Sequence, residues 1–506
     1  TTLTTTDSQI TFSGTVDSET SETNNLTLDA GTSEVQFDAE TGGTVGLGAI
    51  GITGDLDLNA DITNATSLSV SLVSNLGANV TTSGTQTYTG AVTLSANDTI
   101  TTTNANVSFG STIDSDGTTR NLTFNTGTGT VSVTNNVGAT NALGTVTLTQ
   151  TGGTTFSGTF EAATATLTDT ADAADITFSG NTTITTLNTA SQAYNLVFNG
   201  SSNTITNAVT FTNTGTVTLG NSSSDSSTFN GGITATAPSG VTLAGTIQTS
   251  GDTISIGDGD TAITLAANTI VDGNTAGAIT LAGAIDGEYS LTLNTTGTTT
   301  LSAEIGGSTA LTTLETNSGG TTVISVDITT SSTQTYNDAV TVNGTLDFTG
   351  STVQFASTVE GNDGTGDNLT ISGALDLDGA ATSLTTLTVE GASNLGANVT
   401  SSGTQTYTGA VTLSADNTLT TTSNGNVSFG STTNGAQTLS ITTNGTGDVT
   451  FTDDVGGTAG LNGLTISTND FNAVDLKVGG NISITNTGTS STITGVIADD
   501  GDAAVF

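Results

Sequence analysis

Forty-five carboxylates are nearly all the reactive chemistry that this 506-residue chain carries. Histidine and cysteine are absent, and Arg120 and Lys477 are the only basic residues. A Ser–His or Cys–His nucleophile is therefore out of reach, and so is a zinc centre built on imidazoles and thiolates. Carboxylates alone can hold a hard cation or work in pairs on a glycosidic bond. Hard cations want several oxygens from nearby loop positions. The densest such stretches are Asp114 with Asp116, Asp258 with Asp260, Asp363 with Asp367, and Asp499 with Asp500 and Asp502. These nine are the candidate calcium ligands, and calcium is the one cofactor the sequence suggests. None follows the EF-hand spacing, and Gly257-Asp258-Gly259-Asp260 occurs once, where calcium-binding β-rolls repeat their motif. Solvated turn carboxylates are the competing reading. Adjacent pairs such as Asp453-Asp454 make poor catalytic dyads, because neighbours on a strand point to opposite faces. The sequence predicts no catalytic residue and no enzyme.

The formal net charge of −43 excludes nucleic acid and anionic membrane surfaces as partners, since nothing can neutralise their phosphates. Only 9% of residues are charged, so most of the surface is neutral hydroxyl and amide. Diffuse condensation of divalent cations suits such a field. No apolar run reaches membrane-spanning length and no signal peptide is visible. An exported chain would have its targeting region outside this segment. The sequons at Asn25, Asn79, Asn121, Asn368 and Asn398 permit glycosylation, but an Asn- and Thr-rich chain forms them by chance.

What positions these residues is a repeat. Ser74–Thr103 recurs as Ser393–Thr422 with four of thirty positions changed: Thr82 to Ser401, Asn97 to Asp416, Asp98 to Asn417 and Ile100 to Leu419. Upstream, Ile52, Leu56, Leu58 and Leu68 match Ile371, Leu375, Leu377 and Leu387 at the same offset, 319. Still further upstream, Ile10, Phe12, Val16, Asn25 and Leu26 match Val353, Phe355, Val359, Asn368 and Leu369 at an offset of 343. The offsets differ by 24, so one copy has gained or lost 24 residues without disturbing either flank. A stack of equivalent coils tolerates that, because each coil touches only its neighbours. A third Tyr motif, with Tyr336 lying 71 residues before Tyr407, reads as about three such coils.

Within the repeat, apolar–polar–apolar triplets such as Ile10-Thr11-Phe12, Val107-Ser108-Phe109 and Val449-Thr450-Phe451 are separated by Gly, Asn and Asp. Alternation turns the two apolar residues inward and the Thr or Ser outward, and the polar punctuation makes corners. Thr is β-branched and favours strands, while helix formers and proline are scarce. The sequence therefore predicts an all-β parallel β-solenoid of about 20–24 residues per coil, continuous over residues 1–506. Some 22 coils at ~4.8 Å would make a rod on the order of 100 Å long. A string of immunoglobulin-like sandwiches is the alternative, but it does not explain a 24-residue insertion.

Tyr88-Thr89-Gly90 followed by Ala91-Val92-Thr93-Leu94 resembles the strand repeats of bacterial autotransporter passengers and filamentous-haemagglutinin-like proteins. Tyr407-Thr408-Gly409 and, less closely, Tyr336-Asn337-Asp338 resemble the same phrase, and Ile493-Thr494-Gly495-Val496-Ile497 is similar to an isoleucine–x–glycine–x–isoleucine segment of those repeats. The resemblance implies a right-handed parallel β-helix, export across an outer membrane, and adhesive or structural use at the cell surface. It departs from those families in having so few basic residues and in showing neither a secretion-domain signature nor a membrane barrel.

The expected function is thus a non-enzymatic extracellular rod: an adhesin stalk, sheath, surface-layer or filament component. Its expected partners are other copies, end to end or side by side, and surface glycans. The segment reads either as part of a longer repeat protein or as one subunit of a filament. A carbohydrate-active or carbohydrate-binding β-helix is one alternative and would need two carboxylates facing one groove. An ice-binding solenoid is the other and would need Thr-x-Thr ranks on one face, whereas the sequence spreads Thr over every side.

Overall fold

The fold is described from a computed structural model, which places residues 1–498. The candidate ligands Asp499, Asp500 and Asp502 lie outside the described residues. Among those described there is no helix, and parallel strands stack in about 23 coils averaging about 22 residues. The chain divides into two compact units, Thr1–Ala262 and Ile263–Phe506.

In the first unit each coil contributes up to three short strands, and each strand pairs with its equivalent one coil on. One inward file runs Leu28, Ile52, Val70, Tyr88, Phe109, Val133, Phe156, Phe178, Phe198, Leu219 and Leu243, each the register partner of the next. All eleven side chains are buried. Successive members are 18 to 24 residues apart, a wider span than the sequence suggested, because corners absorb insertions that strands cannot. Register brings like side chains face to face: Tyr88 on Phe109 at 4.9 Å, Phe156 on Phe178 at 5.3 Å and Phe178 on Phe198 at 4.9 Å. Each such residue contributes roughly 1.5–3 kcal/mol by burial.

The second unit follows the same rule. Val389, Tyr407, Phe429 and Phe451 form one inward file, and Tyr336, Phe355, Leu377, Leu395 and Leu413 form another. This corrects the reading of the 71-residue spacing. Tyr336 and Tyr407 stand on different files, separated by three coils and two further strands. The Tyr motif is therefore a unit of one strand and its neighbours, usable on more than one side of a coil.

Corners have a recurring form that the sequence reading missed. Thr41-Gly42-Gly43-Thr44, Val137-Gly138-Ala139-Thr140, Ile305-Gly306-Gly307-Ser308 and Val455-Gly456-Gly457-Thr458 share one pattern, with a buried Leu following at 47, 143, 311 and 461. The first residue of each makes a parallel bridge to the coils on both sides. The following glycines have φ between 72° and 76°, the left-handed region that a side chain would strain. The signal was legible as a Gly-Gly/Ala-Thr/Ser string but was hidden by the general abundance of those residues.

Candidate functional site

Each of those four corners is held by a side chain from the preceding coil. Asp114 Oδ1 accepts the N–H groups of Thr140 and Asn141 at 2.9 and 3.2 Å. Asp17 does the same for Thr44 and Val45, Asp286 for Ser308 and Thr309, and Asn434 for Thr458 and Ala459. The two N–H groups at Thr44 and Val45 hold the Asp17 carboxyl below its ordinary range. That an amide serves at the fourth corner shows what the position requires: one oxygen accepting two adjacent N–H groups. Charge is not required.

Of the other candidate ligands, Asp116, Asp258, Asp363 and Asp367 are also engaged with protein donors. Asp116 receives both Nε and Nη2 of Arg120, at 3.0 and 2.7 Å, and its carboxyl is lowered mainly by that contact. Asp258 Oδ1 accepts the N–H groups of Asp260 and Thr261, both at 2.9 Å, closing its own turn, and the Asp260 side chain is exposed. Asp363 Oδ1 accepts the Thr365 N–H. Asp367 is buried and takes three backbone donors: Gly344 on Oδ1, and Asp363 and Gly364 on Oδ2. Asp363 and Asp367 thus meet through backbone, with the carboxylate of one capping the peptide of the other. Among the described residues, no group of three or more carboxylates converges in a way that could hold a metal ion. The clustering in sequence came from corners needing acceptors close together.

In-register carboxylates do occur. Glu34 sits opposite Asp55 on the next coil, and burial followed by the Asp57 charge pushes the Glu34 carboxyl up. Around them Gln9 donates to Glu34, Asn59 donates to Asp38 and Asp57, and Asn75 donates to Asp57. Amide donors knit this acidic patch together.

Polar groups inside the coils escaped the sequence reading. Gln86, Gln334 and Gln405 are fully buried, two residues before Tyr88, Tyr336 and Tyr407. In each case the Tyr hydroxyl donates to the Gln Oε1, at 3.0, 2.9 and 3.4 Å. Each Gln Nε2 donates to the carbonyl six residues back and to the one fifteen ahead, joining three strands. Burial raises all three Tyr hydroxyls above their ordinary range, so each stays a donor. The Thr-Gln-Thr-Tyr phrase is a buried clamp.

The sequon asparagines belong to the same network. Asn25, Asn79, Asn121 and Asn398 each accept a backbone N–H from the next coil, and Asn368 bonds Thr345, Gly366 and Thr386. A glycan is carried on Nδ2, so it would compete with the bonds that Nδ2 gives from Asn79 to Asp61 and from Asn368 to Thr345 and Gly366.

Outward hydroxyls fall into register on several files, among them Thr87, Ser108, Ser132, Thr155 and Thr177 in the first unit. In the second unit Thr418 and Thr420, Ser440 and Thr442, Thr465 and Ser467, and Ser483 and Thr485 stack in register as two ranks over four coils. None of these eight hydroxyls bonds another protein group among the described residues, and none of the eight is buried. Alternation around Leu419, Ile441, Ile466 and Ile484 produces the ranks.

No family model matches the chain, and neither a curated protein nor a solved structure matches it.

Proposed function

We propose that the chain is a non-enzymatic structural or adhesive component of the cell exterior, working through the stiffness and the surface of its coils. The observation that carries this reading is the use made of the carboxylates and amides. Asp17, Asp114, Asp286, Asp367 and Asn434 all present oxygen to backbone N–H groups at corners. Groups that could do chemistry hold coil to coil. The strand phrases resembling autotransporter passengers and filamentous-haemagglutinin-like repeats support export and a place at the cell surface. Self-association and contact with surface glycans are the partners this reading brings. Antibody labelling of intact source cells, with electron microscopy of the labelled material, tests it. Labelled fibres or sheets outside the cell are expected; label confined to the cytosol would overturn it, as would release of reducing sugar from polysaccharide by the purified chain.

A second reading, ice binding, is favoured by the two ranks of Thr and Ser between Thr418 and Thr485. They form an array of neutral hydroxyls whose spacing is set by the sheet, ~4.8 Å between coils and ~7 Å between ranks. No aromatic side chain interrupts it, which favours an ordered water lattice over a sugar needing a stacking platform. Thermal hysteresis that disappears when Thr442 and Ser467 become Tyr would support this reading, and its absence in the parent chain would dismiss it.

A further inference from the structure

The near-identical segments Ser74–Thr103 and Ser393–Thr422 differ by a reversed dipeptide, Asn97-Asp98 in the first and Asp416-Asn417 in the second. The outer residue of each pair must accept. Asn97 Oδ1 takes the Asn121 N–H at 2.9 Å, and Asp416 Oδ1 takes the Thr438 N–H at 2.7 Å, so either residue type serves. The inner residue must donate. Asn417 Nδ2 gives hydrogen bonds to Leu395 O at 2.8 Å and Ala415 O at 2.7 Å. In the first segment that slot holds Asp98, which is 2% exposed and has no hydrogen-bond partner on either carboxyl oxygen.

A carboxylate has no hydrogen to give to such a slot, while a carboxylic acid has one. We propose that Asp98 holds a proton at neutral pH, standing in for the amide of Asn417, and that its coil loosens when that proton leaves. The Asp98 equivalent of the Leu395 carbonyl is Leu76 O, which accepts from Ser95 N and Oγ, as Leu395 O accepts from Ser414 N. The charged and titratable groups facing Asp98 are Arg120, from the segment before the strand Leu122–Asn125, Asp61 beside the strand Ile62–Val70, and Tyr88 on the strand Gln86–Tyr88. Burial outweighs the others and pushes the Asp98 carboxyl up to about 8; Arg120 pulls it down and Asp61 pushes it further up. Arg120 is shared with Asp116 through a bidentate pair, which limits its help.

The folded chain therefore binds a proton that the unfolded chain has released at any pH between the ordinary Asp value of 3.8 and about 8. Stability from this group is full below the lower value, declines between the two, and is gone once pH has risen through the upper one.

The test uses the full chain, its Asp98→Asn variant and the reciprocal Asn417→Asp variant. Infrared difference spectra at neutral pH should show a protonated-carboxyl band in the parent that is missing from Asp98→Asn and fades as pH passes about 8. Asp98→Asn should lose less melting temperature than the parent between pH ~5 and pH ~9, and Asn417→Asp should lose more. A parent spectrum without the band, or three superimposable pH profiles, would overturn the proposal. Should Asp98→Asn fail to fold, the slot does not accept an amide donor and the inference falls with it.

Discussion

Leu28 lies directly against Ile52, its register partner 24 residues on. That separation equals the difference between the two offsets, 343 and 319, that relate the halves of the internal repeat. The inserted block is therefore one coil. In the second unit the equivalent file runs from Phe348 to Ile371 to Val389, and the single triplet Leu369-Thr370-Ile371 answers to both Leu26-Thr27-Leu28 and Ile50-Gly51-Ile52. A coil can be added where its strands repeat the register of the coil below.

The corner carboxylates give a prediction that separates holding from metal binding. Asn434 performs at its corner what Asp114 performs at another. Replacing Asp114 by Asn should leave urea unfolding unchanged within ~0.5 kcal/mol, whereas Asp114→Ala should lose about 1 kcal/mol through its two unpaired N–H groups. A calcium site would instead be damaged by both replacements, and equal losses would point to it.

At Asp367 the loss should be larger. Its buried carboxylate takes three backbone donors, from Gly344, Asp363 and Gly364. Asp367→Ala should cost roughly 2–4 kcal/mol in denaturant unfolding, because three donors lose their acceptor away from water. A cost no greater than that of Asp114→Ala would contradict this account.

The buried Gln–Tyr clamp predicts non-additive losses. Gln86→Leu strands the Tyr88 hydroxyl and the carbonyls of Val80 and Thr101, at about 2–3 kcal/mol. Adding Tyr88→Phe should cost almost nothing more, since its partner is already gone. A double-mutant cycle showing simple additivity would mean that the two side chains do not act together.

Cations should act through the field as a whole. With a net charge of −43, added salt relieves self-repulsion. Calcium and magnesium at equal concentration should raise the melting temperature alike and without saturation. A saturable rise specific to calcium, read by titration calorimetry, would restore a dedicated site.

The fold was legible because its signal is repetitive. Triplets such as Val107-Ser108-Phe109 and the 24-residue offset difference each encode the stacking directly, and local alternation decides which side chain turns inward. The site chemistry was less so. Asp114 and Asp367 looked like loop ligands because a corner that needs acceptors and a loop that binds cations use the same residues; only the partners distinguish them, and those on the neighbouring coil lie 23 to 27 residues away. Gln86 escaped notice because alternation marks it as inward while its polarity marks it as outward; the conflict is settled by two bonds to other strands and one from Tyr88 on its own strand. The Thr and Ser ranks were hidden because Thr is everywhere in the sequence, and only register gathers it into a face.

The most direct measurement is thermal unfolding of a chain lacking residues 28–51. The deletion joins Thr27 to Ile52 and gives Asn-Leu-Thr-Ile-Thr-Gly, close to the natural Asn-Leu-Thr-Ile-Ser-Gly of 368–373. If coils are equivalent units in register, the shortened chain folds cooperatively and its melting temperature falls by no more than roughly 5 °C, while removing only residues 28–39 abolishes the transition. Loss of cooperative folding in the 24-residue deletion, or equal tolerance of both deletions, would contradict the account.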